Sequence, residues 1–128
     1  MLRPGLLAVL VLVAGLSTAL AADMRIPGMR TNDVFFTEDG LQEKLVNREV
    51  MFQDGSSLRF LRNGTAEYRS EEGARPMTGR YAFKRYGMVC IRFDNGASRC
   101  DTFVRSVRDT VVLTGGGRRL MVDGIVSF

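Results

Sequence analysis

The chain has 128 residues, a formal net charge of +4 and a sequence pI near 9.6, with 25% charged and 45% hydrophobic residues. It contains no histidine, which excludes Ser-His-Asp triads, imidazole zinc sites and the most common general base. The lysines and arginines are scattered among acidic residues rather than clustered, so the composition argues against a nucleic-acid partner. The length indicates one small domain.

Residues 1–21 have the features of a secretory signal peptide. Arg3 supplies a positive charge, an apolar run follows, and Ala19 and Ala21 form a small-x-small cleavage site. The apolar run is too short to favour a membrane span, although an uncleaved anchor is the alternative. Because no cysteine lies at the cleavage point, no lipid attachment is predicted. The sequence predicts export to the periplasm or beyond the cell, with no stable membrane insertion after cleavage.

Residues 22–36 show no convincing hydrophobic period and contain Pro27 and Gly28. This composition predicts a flexible N-terminal arm, whose end could dock on the domain through Val34. Two thioethers, Met24 and Met29, are too few donors for a metal site. We therefore predict no metal and no cofactor.

Residues 37–46 form the one predicted helix. Thr37 can act as the N-cap, and the two acidic residues after it lie where the helix dipole favours anions. Leu41 and Leu45 share one face, and Asn47 can end the helix. Gly40 weakens the helix, so we expect packing to hold it as a lid across one end of a sheet.

From Arg48 onward the hydrophobic period changes to two, and glycine turns recur every 8 to 12 residues. This pattern predicts a mainly β domain over residues 37–128, an antiparallel meander of about eight short strands that forms a small barrel or half-barrel. The predicted turns lie at Asp54–Gly55, Asn63–Gly64, Gly87, Asn95–Gly96, 115–117 and Asp123–Gly124.

Residues 79–100 contain two hairpin signals and both cysteines. Read as three-residue loops with glycine at a positive φ angle, they pair Lys84 with Met88 and set Cys90 opposite Cys100. A two-residue loop at Asn95–Gly96 would pair Cys90 with a neighbour of Cys100 instead. Since a directly opposed pair can form a disulfide and an oxidising compartment preserves it, the sequence favours the first register and a Cys90–Cys100 disulfide.

The hairpin at Asn63–Gly64 can be read in the same way. A three-residue loop places Phe60 opposite Ala66 and Arg59 opposite Glu67. Opposite charges then face each other and the apolar residues share a side of the sheet. We therefore predict this register over a one-residue slip.

The same reasoning sets Arg80 directly opposite Arg92, with Lys84 further along the same face. Like charges that face each other destabilise a sheet unless something compensates. These three residues are the predicted site, a patch for an anion or an acidic partner. The alternative is that the long side chains diverge into water.

Several features between residues 37 and 101 make the chain resemble small exported proteobacterial proteins of unknown function, thought to be lipocalin-like half-barrels. Such proteins usually carry Gly-x-Trp where this chain has Gly79-x-Tyr81. The resemblance implies export and fold, and it carries over no catalytic residue. The shared features are a short helix running into residues 45–48, an apolar-x-Asp-Gly turn at residues 52–55, Phe60-x-x-Asn-Gly-Thr, Gly79-x-Tyr81 and Cys90 with Cys100.

These observations predict an exported, disulfide-stapled β domain that acts as a binding or interaction module. One alternative is a protein inhibitor of an exported hydrolase, of protease or lysozyme type, with residues 22–36 as the plug. Another is a small lipid or ligand carrier, because lipocalin-like barrels can hold a cavity. An enzyme comes last, since only a carboxylate-based hydrolase is open and Glu71 and Glu72 are loop neighbours. The strands are too short for the outer-membrane barrel that the terminal Phe128 suggests.

Overall fold

The computed structural model of the protein describes residues 26–128. The predicted signal peptide and the first residues of the predicted arm lie outside this part of the chain. The described chain forms nine strands and one helix. In order they are β1 (Asp33–Phe35), α1 (Glu38–Leu45), β2 (Arg48–Phe52), β3 (Ser57–Phe60), β4 (Thr65–Arg69), β5 (Met77–Phe83), β6 (Met88–Phe93), β7 (Ser98–Ser106), β8 (Asp109–Leu113) and β9 (Arg119–Ser127).

Strands β2 to β9 form an antiparallel meander in which each strand pairs with the next, and β9 also pairs with β2. This last pairing closes the sheet into an eight-stranded barrel, which removes the exposed edges that an open sheet would leave. Strand β1 is an extra strand on β7. The predicted mainly β fold with one short helix is confirmed, and the barrel is closed.

The hairpin registers predicted from the turns are confirmed. The Lys84 amide donates to the Met88 carbonyl at 2.8 Å, and Phe60 lies opposite Ala66 in the β3–β4 pair. Cys90 faces Cys100 across β6 and β7, with Cα atoms 4.1 Å apart, and the two form a disulfide. Local turn chemistry therefore fixed the pairing of these strands.

The turn predicted at Asp123–Gly124 is wrong, because these residues lie inside the long strand β9. Gly124 pairs with Met51, whereas Val122 pairs with the next residue of β2, Phe52. Asp123 is thus the extra residue of a β-bulge. A bulge bends and twists a strand without ending it, which lets β9 follow the curved wall and close the barrel.

Helix α1 begins where the sequence predicts. The Thr37 hydroxyl accepts a hydrogen bond from the Gly40 amide at 2.9 Å, and Asn47 takes a positive φ of 60° just after the helix ends. Leu41 and Leu45 are fully buried in the main core. The helix therefore lies over one end of the barrel and fills that end with its two leucines.

Apolar side chains fill the interior of the barrel. Alternate residues of a strand point to opposite faces of the sheet, so each strand contributes every second residue to this core. Its buried members are Leu41, Leu45, Val50, Phe52, Leu58, Phe60, Ala66, Val89, Ile91, Phe93, Phe103, Val112 and Leu120.

A second, smaller core lies on the outer face of the barrel wall. Val104 and Val111 point outward from paired positions of β7 and β8, and Leu113 joins them. Ile26 and Met29 pack against this cluster from the N-terminal side. Residues 26–36 of the predicted arm therefore lie packed on the barrel; we call residues 26–32 the N-terminal cover.

No helix within residues 26–128 is both long enough and apolar enough to cross a membrane.

Candidate functional site

A groove of about 700 Å³ lies at the barrel end that α1 covers. Three basic side chains from three elements line it: Lys44 of α1, Arg48 at the start of β2 and Arg105 near the end of β7. Arg48 lies two residues before the inward-facing Val50, and Arg105 lies two residues after the inward-facing Phe103. Both arginines therefore point toward the barrel axis at a part of the rim that the short helix leaves open.

The rest of the lining is largely apolar. Val34 of β1, Phe36 and Ile125 of β9 contribute hydrophobic surface, and Glu43 is the one carboxylate among the lining residues described. The Val34 side chain is unusually open, with 54% of its surface exposed. The groove therefore combines positive charge with apolar surface, the combination expected of a site for an amphiphilic anion.

The basic residues of the groove are not neutralised within the described chain. The ion pairs found in residues 26–128 are Arg59–Glu49, Arg99–Asp101 and Arg119–Asp33. None of them includes Lys44, Arg48 or Arg105, and the groove keeps a formal excess of two positive charges over Glu43. An anionic ligand would therefore meet cations with which no carboxylate of residues 26–128 forms an ion pair.

Strand β1 forms one wall of the groove and is held firmly. Val34 pairs with Arg105, and the Phe36 amide donates to the Phe103 carbonyl at 3.3 Å. The neighbouring Asp33 accepts hydrogen bonds from Arg119 Nη1 at 2.5 Å and Nη2 at 3.1 Å. These contacts fix the position of β1 on the barrel.

Hydrogen bonds stabilise the charged form of Asp33. The hydrogen bonds from Arg119 lower its pKa below the usual value; burial opposes them, and bonds from the Arg30 amide and Ser106 add to the lowering. The Arg30 amide lies 2.7 Å from Asp33 Oδ2. The carboxylate is thus charged at neutral pH and ties the N-terminal cover to β9.

The structure places Arg80 directly opposite Arg92, as predicted, and both are exposed. A Cβ at Gly64 would lie 2.8 Å from Arg80 Nη2, so the Arg80 side chain leans over the β3–β4 turn. Since β4 and β6 flank β5 on opposite sides, this lean carries the Arg80 charge away from Arg92. The like charges can therefore coexist without an anion, and the predicted patch stays a prediction.

Lys84 does not form one compact site with the two arginines. It lies four residues beyond Arg80, just after β5 ends, and four residues span about 13 Å in extended backbone. The row between them holds Ala82 and Cys90, the latter in the disulfide. A small anion could not contact Lys84 and the arginine pair together.

A second polar site lies inside the barrel wall, near the β6–β7 turn. Arg99 Nε donates to Asp101 Oδ2 at 2.8 Å, and the Arg99 guanidinium lies 5.0 Å from the centre of the Tyr68 ring. Burial raises the pKa of Asp101, although the charge and hydrogen bond of Arg99 lower it. Arg99 and Asp101 bind each other and lie against Tyr68, so we read the pair as part of the barrel wall rather than as a binding site.

Within the described residues, no group of three or more histidine, cysteine, aspartate or glutamate side chains could hold a metal ion. The basic groove was not predicted from the sequence. The positions of Arg48 and Arg105, two residues from buried core residues of their strands, were a usable signal. The three-residue strand β1 that completes the groove had no such signal.

Comparisons of the chain with models of protein families, with curated proteins and with solved structures gave no match.

Proposed function

We propose that this protein is an exported binding module and that the groove beside α1 binds an anionic group carried on an apolar one. The observation that carries this proposal is the convergence of Lys44, Arg48 and Arg105 on one groove. Long cationic side chains from three separate elements rarely meet without a counter-charge, because their mutual repulsion costs free energy. A bound carboxylate or phosphate would offset that cost.

The apolar lining narrows the class of ligand. Val34, Phe36 and Ile125 would leave water when an alkyl or aromatic group binds, at about 25 cal/mol for each Å² of apolar surface buried. The guanidinium groups of Arg48 and Arg105 suit carboxylate and phosphate oxygens, which they can bind through two parallel hydrogen bonds. Fatty acids, anionic lipids and acidic peptide ends with an apolar residue share this chemistry.

The disulfide supports export. The Cys90–Cys100 disulfide indicates an oxidising compartment, in agreement with the secretory signal predicted over residues 1–21. We include in this proposal the predicted resemblance to small exported proteobacterial proteins, which also implies export. The residues present also favour binding over catalysis, because the chain lacks histidine and both thiols are in the disulfide.

Two alternatives receive less support. A carrier that holds its ligand inside the barrel, as lipocalin-like barrels can, would need space there, but the interior is filled by apolar side chains from the wall and from α1. A hydrolase inhibitor with residues 22–36 as its plug would need a free arm, whereas Ile26 and Met29 pack on the outer core and residues 33–35 pair with β7. The groove is the better candidate site.

Binding can be tested with dodecanoate, a carboxylate with an apolar chain, used below its micelle concentration. We expect the methyl NMR signals of Val34 and Ile125 to shift and saturate as dodecanoate is added. Dodecyltrimethylammonium, with the same chain and a positive head, should leave these signals nearly unchanged. Equal affinity for the two amphiphiles would contradict the proposal, because the groove charge would then play no part.

Two arginine variants locate the site. Arg105→Ser should weaken dodecanoate binding about tenfold or more, since a hydrogen bond to a charged group contributes about 1.5–3 kcal/mol. Arg92→Ser removes another exposed arginine, which belongs to the anion patch predicted from the sequence, and should leave the affinity unchanged. A larger loss in Arg92→Ser than in Arg105→Ser would move the site to β5 and β6.

A further inference from the structure

The hairpin that joins β7 and β8 ends in an unusual tip. Ser106 pairs with Asp109, so the loop consists of two residues, Val107 and Arg108. Val107 is the most exposed large hydrophobic residue described, with 75% of its surface open, and its backbone has a φ of 58°. An apolar side chain thus projects into solvent from a left-handed backbone.

This conformation disfavours valine. Only the first of the two loop residues has a positive φ, which is the position that glycine normally takes in a type II′ hairpin turn. A β-branched residue with positive φ is a genuine outlier, because its side chain crowds the backbone. Strain of this kind often marks a functional contact, and Val107 belongs to neither hydrophobic core.

The surroundings of the tip are basic and partly apolar. Arg108 is exposed beside Val107, and Arg105 lies on the same strand facing the groove. Val34, 54% exposed, pairs with Arg105 on the adjoining strand β1. Asp109, at the base of the loop, is the acidic residue next to the tip. The tip therefore offers an apolar point flanked by guanidinium groups.

We propose that the β7–β8 tip docks the protein on an anionic phospholipid surface, from which the neighbouring groove takes its amphiphilic ligand. The second half of this statement rests on the proposed function of the groove. Arginine guanidiniums pair with lipid phosphates, while a valine at the tip of a hairpin can enter the boundary between headgroups and acyl chains. The guanidinium groups of Arg105 and Arg108 beside the exposed Val107 match both the negative charge and the apolar boundary of such a surface.

Docking of this kind is weak and reversible. Each basic residue near an anionic membrane surface strengthens binding about fivefold, which corresponds to about 1 kcal/mol. One apolar residue adds to this without anchoring the protein permanently. We therefore expect binding that depends on lipid charge and falls as salt is added.

The test is flotation of the purified exported protein with vesicles. Vesicles of phosphatidylglycerol and phosphatidylcholine in equal parts should carry the protein at low salt, and vesicles of phosphatidylcholine alone should not. Arg108→Ser should weaken binding about fivefold. Arg118→Ser is the matched control, because Arg118 is an exposed arginine at the β8–β9 turn, at the other end of the barrel. This variant should bind the vesicles as the native protein does.

Val107→Gly separates docking from folding. Glycine fits the positive φ, so this variant should melt at a higher temperature than the native protein. It should nevertheless bind the anionic vesicles more weakly, by fivefold or more. Its affinity for dodecanoate should be unchanged, because Val107 does not line the groove.

Three results would overturn the proposal. The first is a native protein that does not float with the anionic vesicles, and the second is a Val107→Gly variant that floats as well as the native protein. The third is binding to a soluble polyglutamate peptide that depends on Val107 while vesicles are ignored, which would assign the tip to an acidic protein. In each case an intact dodecanoate site would leave the proposed function of the groove standing.

Discussion

Asp33 and Asp101 are both buried, and each is paired with an arginine, yet their pKa values move in opposite directions. Asp33 lies outside the barrel, where the N-terminal cover meets β9, and its pKa is lowered. Asp101 lies inside the barrel wall, and its pKa is raised. Two carboxyl groups that are both closed to solvent can therefore have pKa values shifted in opposite directions.

Depth of burial and hydrogen-bond donors together explain the difference: loss of solvent is the largest effect on the pKa of Asp101, whereas the hydrogen bonds from Arg119 are the largest effect on the pKa of Asp33. Asp33 accepts two bonds from Arg119 and one from the Arg30 amide, and a carboxylate with several donors is stabilised in its charged form. Within residues 26–128, Asp101 accepts from Arg99 alone, and this one partner does not outweigh the loss of solvent. A buried carboxylate whose oxygens have enough hydrogen-bond donors stabilises the fold, whereas one with too few donors costs stability.

The two pairs also differ in what they connect. Arg119 and Asp33 are 86 residues apart in the chain, whereas Arg99 and Asp101 are two residues apart on one strand. The first pair joins the N-terminal cover and β1 to the last strand, so it stabilises the tertiary structure. The second pair lies within one strand, so it joins no separate parts of the chain and only places charge on the inner face of that strand.

The largest effect is expected from Asp33→Ala. Removing this carboxylate leaves Arg119 largely buried without its partner, and breaking a buried pair typically costs about 3–5 kcal/mol. Because 15% of the Arg119 side chain is exposed, we expect a loss near the low end, about 3 kcal/mol, in urea unfolding. Asp109→Ala, an exposed aspartate on the neighbouring hairpin, should cost less than about 0.5 kcal/mol. Equal losses in the two variants would remove the distinction drawn for Asp33.

A deletion of residues 22–32 should have the next largest effect. It removes Ile26 and Met29, which cover the outer core, and the Arg30 amide that binds Asp33. Two half-buried apolar side chains contribute about 2 kcal/mol together, which lowers the melting temperature of a domain this size by about 8–16 °C. Calorimetry of the full and shortened chains measures this. An unchanged melting temperature would instead support the flexible arm that the sequence predicts for residues 22–36.

The effect of Asp101→Asn should be smaller and should depend on pH. Because the folded pKa of Asp101 is raised above the usual 3.8, its ionisation costs stability as pH rises from below that value through the raised one. The uncharged asparagine avoids this cost, so at pH 7 the variant should be as stable as the native protein or up to about 1 kcal/mol more stable. At pH 3 this advantage should be absent, as urea titrations at the two pH values would show. A clear loss at pH 7 would mean that the charged pair stabilises the barrel.

Asp33 should affect the acid side of the stability-versus-pH curve, in the direction opposite to Asp101. Its folded pKa is lowered, so its contribution is present above the unfolded value near 3.8 and is lost as pH falls below it. Asp33→Asn should therefore flatten the acid limb of the native curve, while Asp101→Asn should not. Two variants with the same acid limb would show that donor number does not distinguish the two carboxylates.

The smallest effect is expected at the arginine pair, where no carboxylate of residues 26–128 forms an ion pair with either arginine. Arg92→Thr should leave stability equal or higher by tenths of a kcal/mol. Since Arg80 leans over Gly64, we expect the melting temperature of the native protein to stay flat across a phosphate series at constant ionic strength. Stabilisation by phosphate that Arg92→Thr loses would instead establish the predicted anion patch.

Much of the barrel could be read from the sequence because its strands are joined by short loops. The glycine positions and the alternation of apolar residues fixed the pairing around Lys84–Met88 and Phe60–Ala66, and the same register set Cys90 opposite Cys100. These contacts join residues that lie close in the chain, so local turn geometry and side-chain alternation are sufficient to determine them.

The candidate site was beyond the sequence because its parts come from distant segments. Val34, Lys44 and Arg105 meet only after the chain has folded. Alternation along β7 places Arg105 on the inner face of its strand, but nothing in the sequence shows that Val34 and Lys44 join it there. The Asp33–Arg119 pair has the same character, since nothing near either residue predicts its partner. Only the closed barrel brings the first and last strands close enough for Asp33 and Arg119 to pair.

The sequence by itself determined the helix, the hairpins, their registers and the disulfide, each through contacts between residues near in the chain. The tertiary structure decided the closure of β9 on β2, the bulge at Asp123 and the packing of the N-terminal cover. These features depend on long-range contacts, whose cost in chain entropy is recovered only when the whole core forms at once. Local sequence patterns do not show this gain in free energy, because it depends on the whole core. The basic groove could therefore be recognised only in the folded molecule.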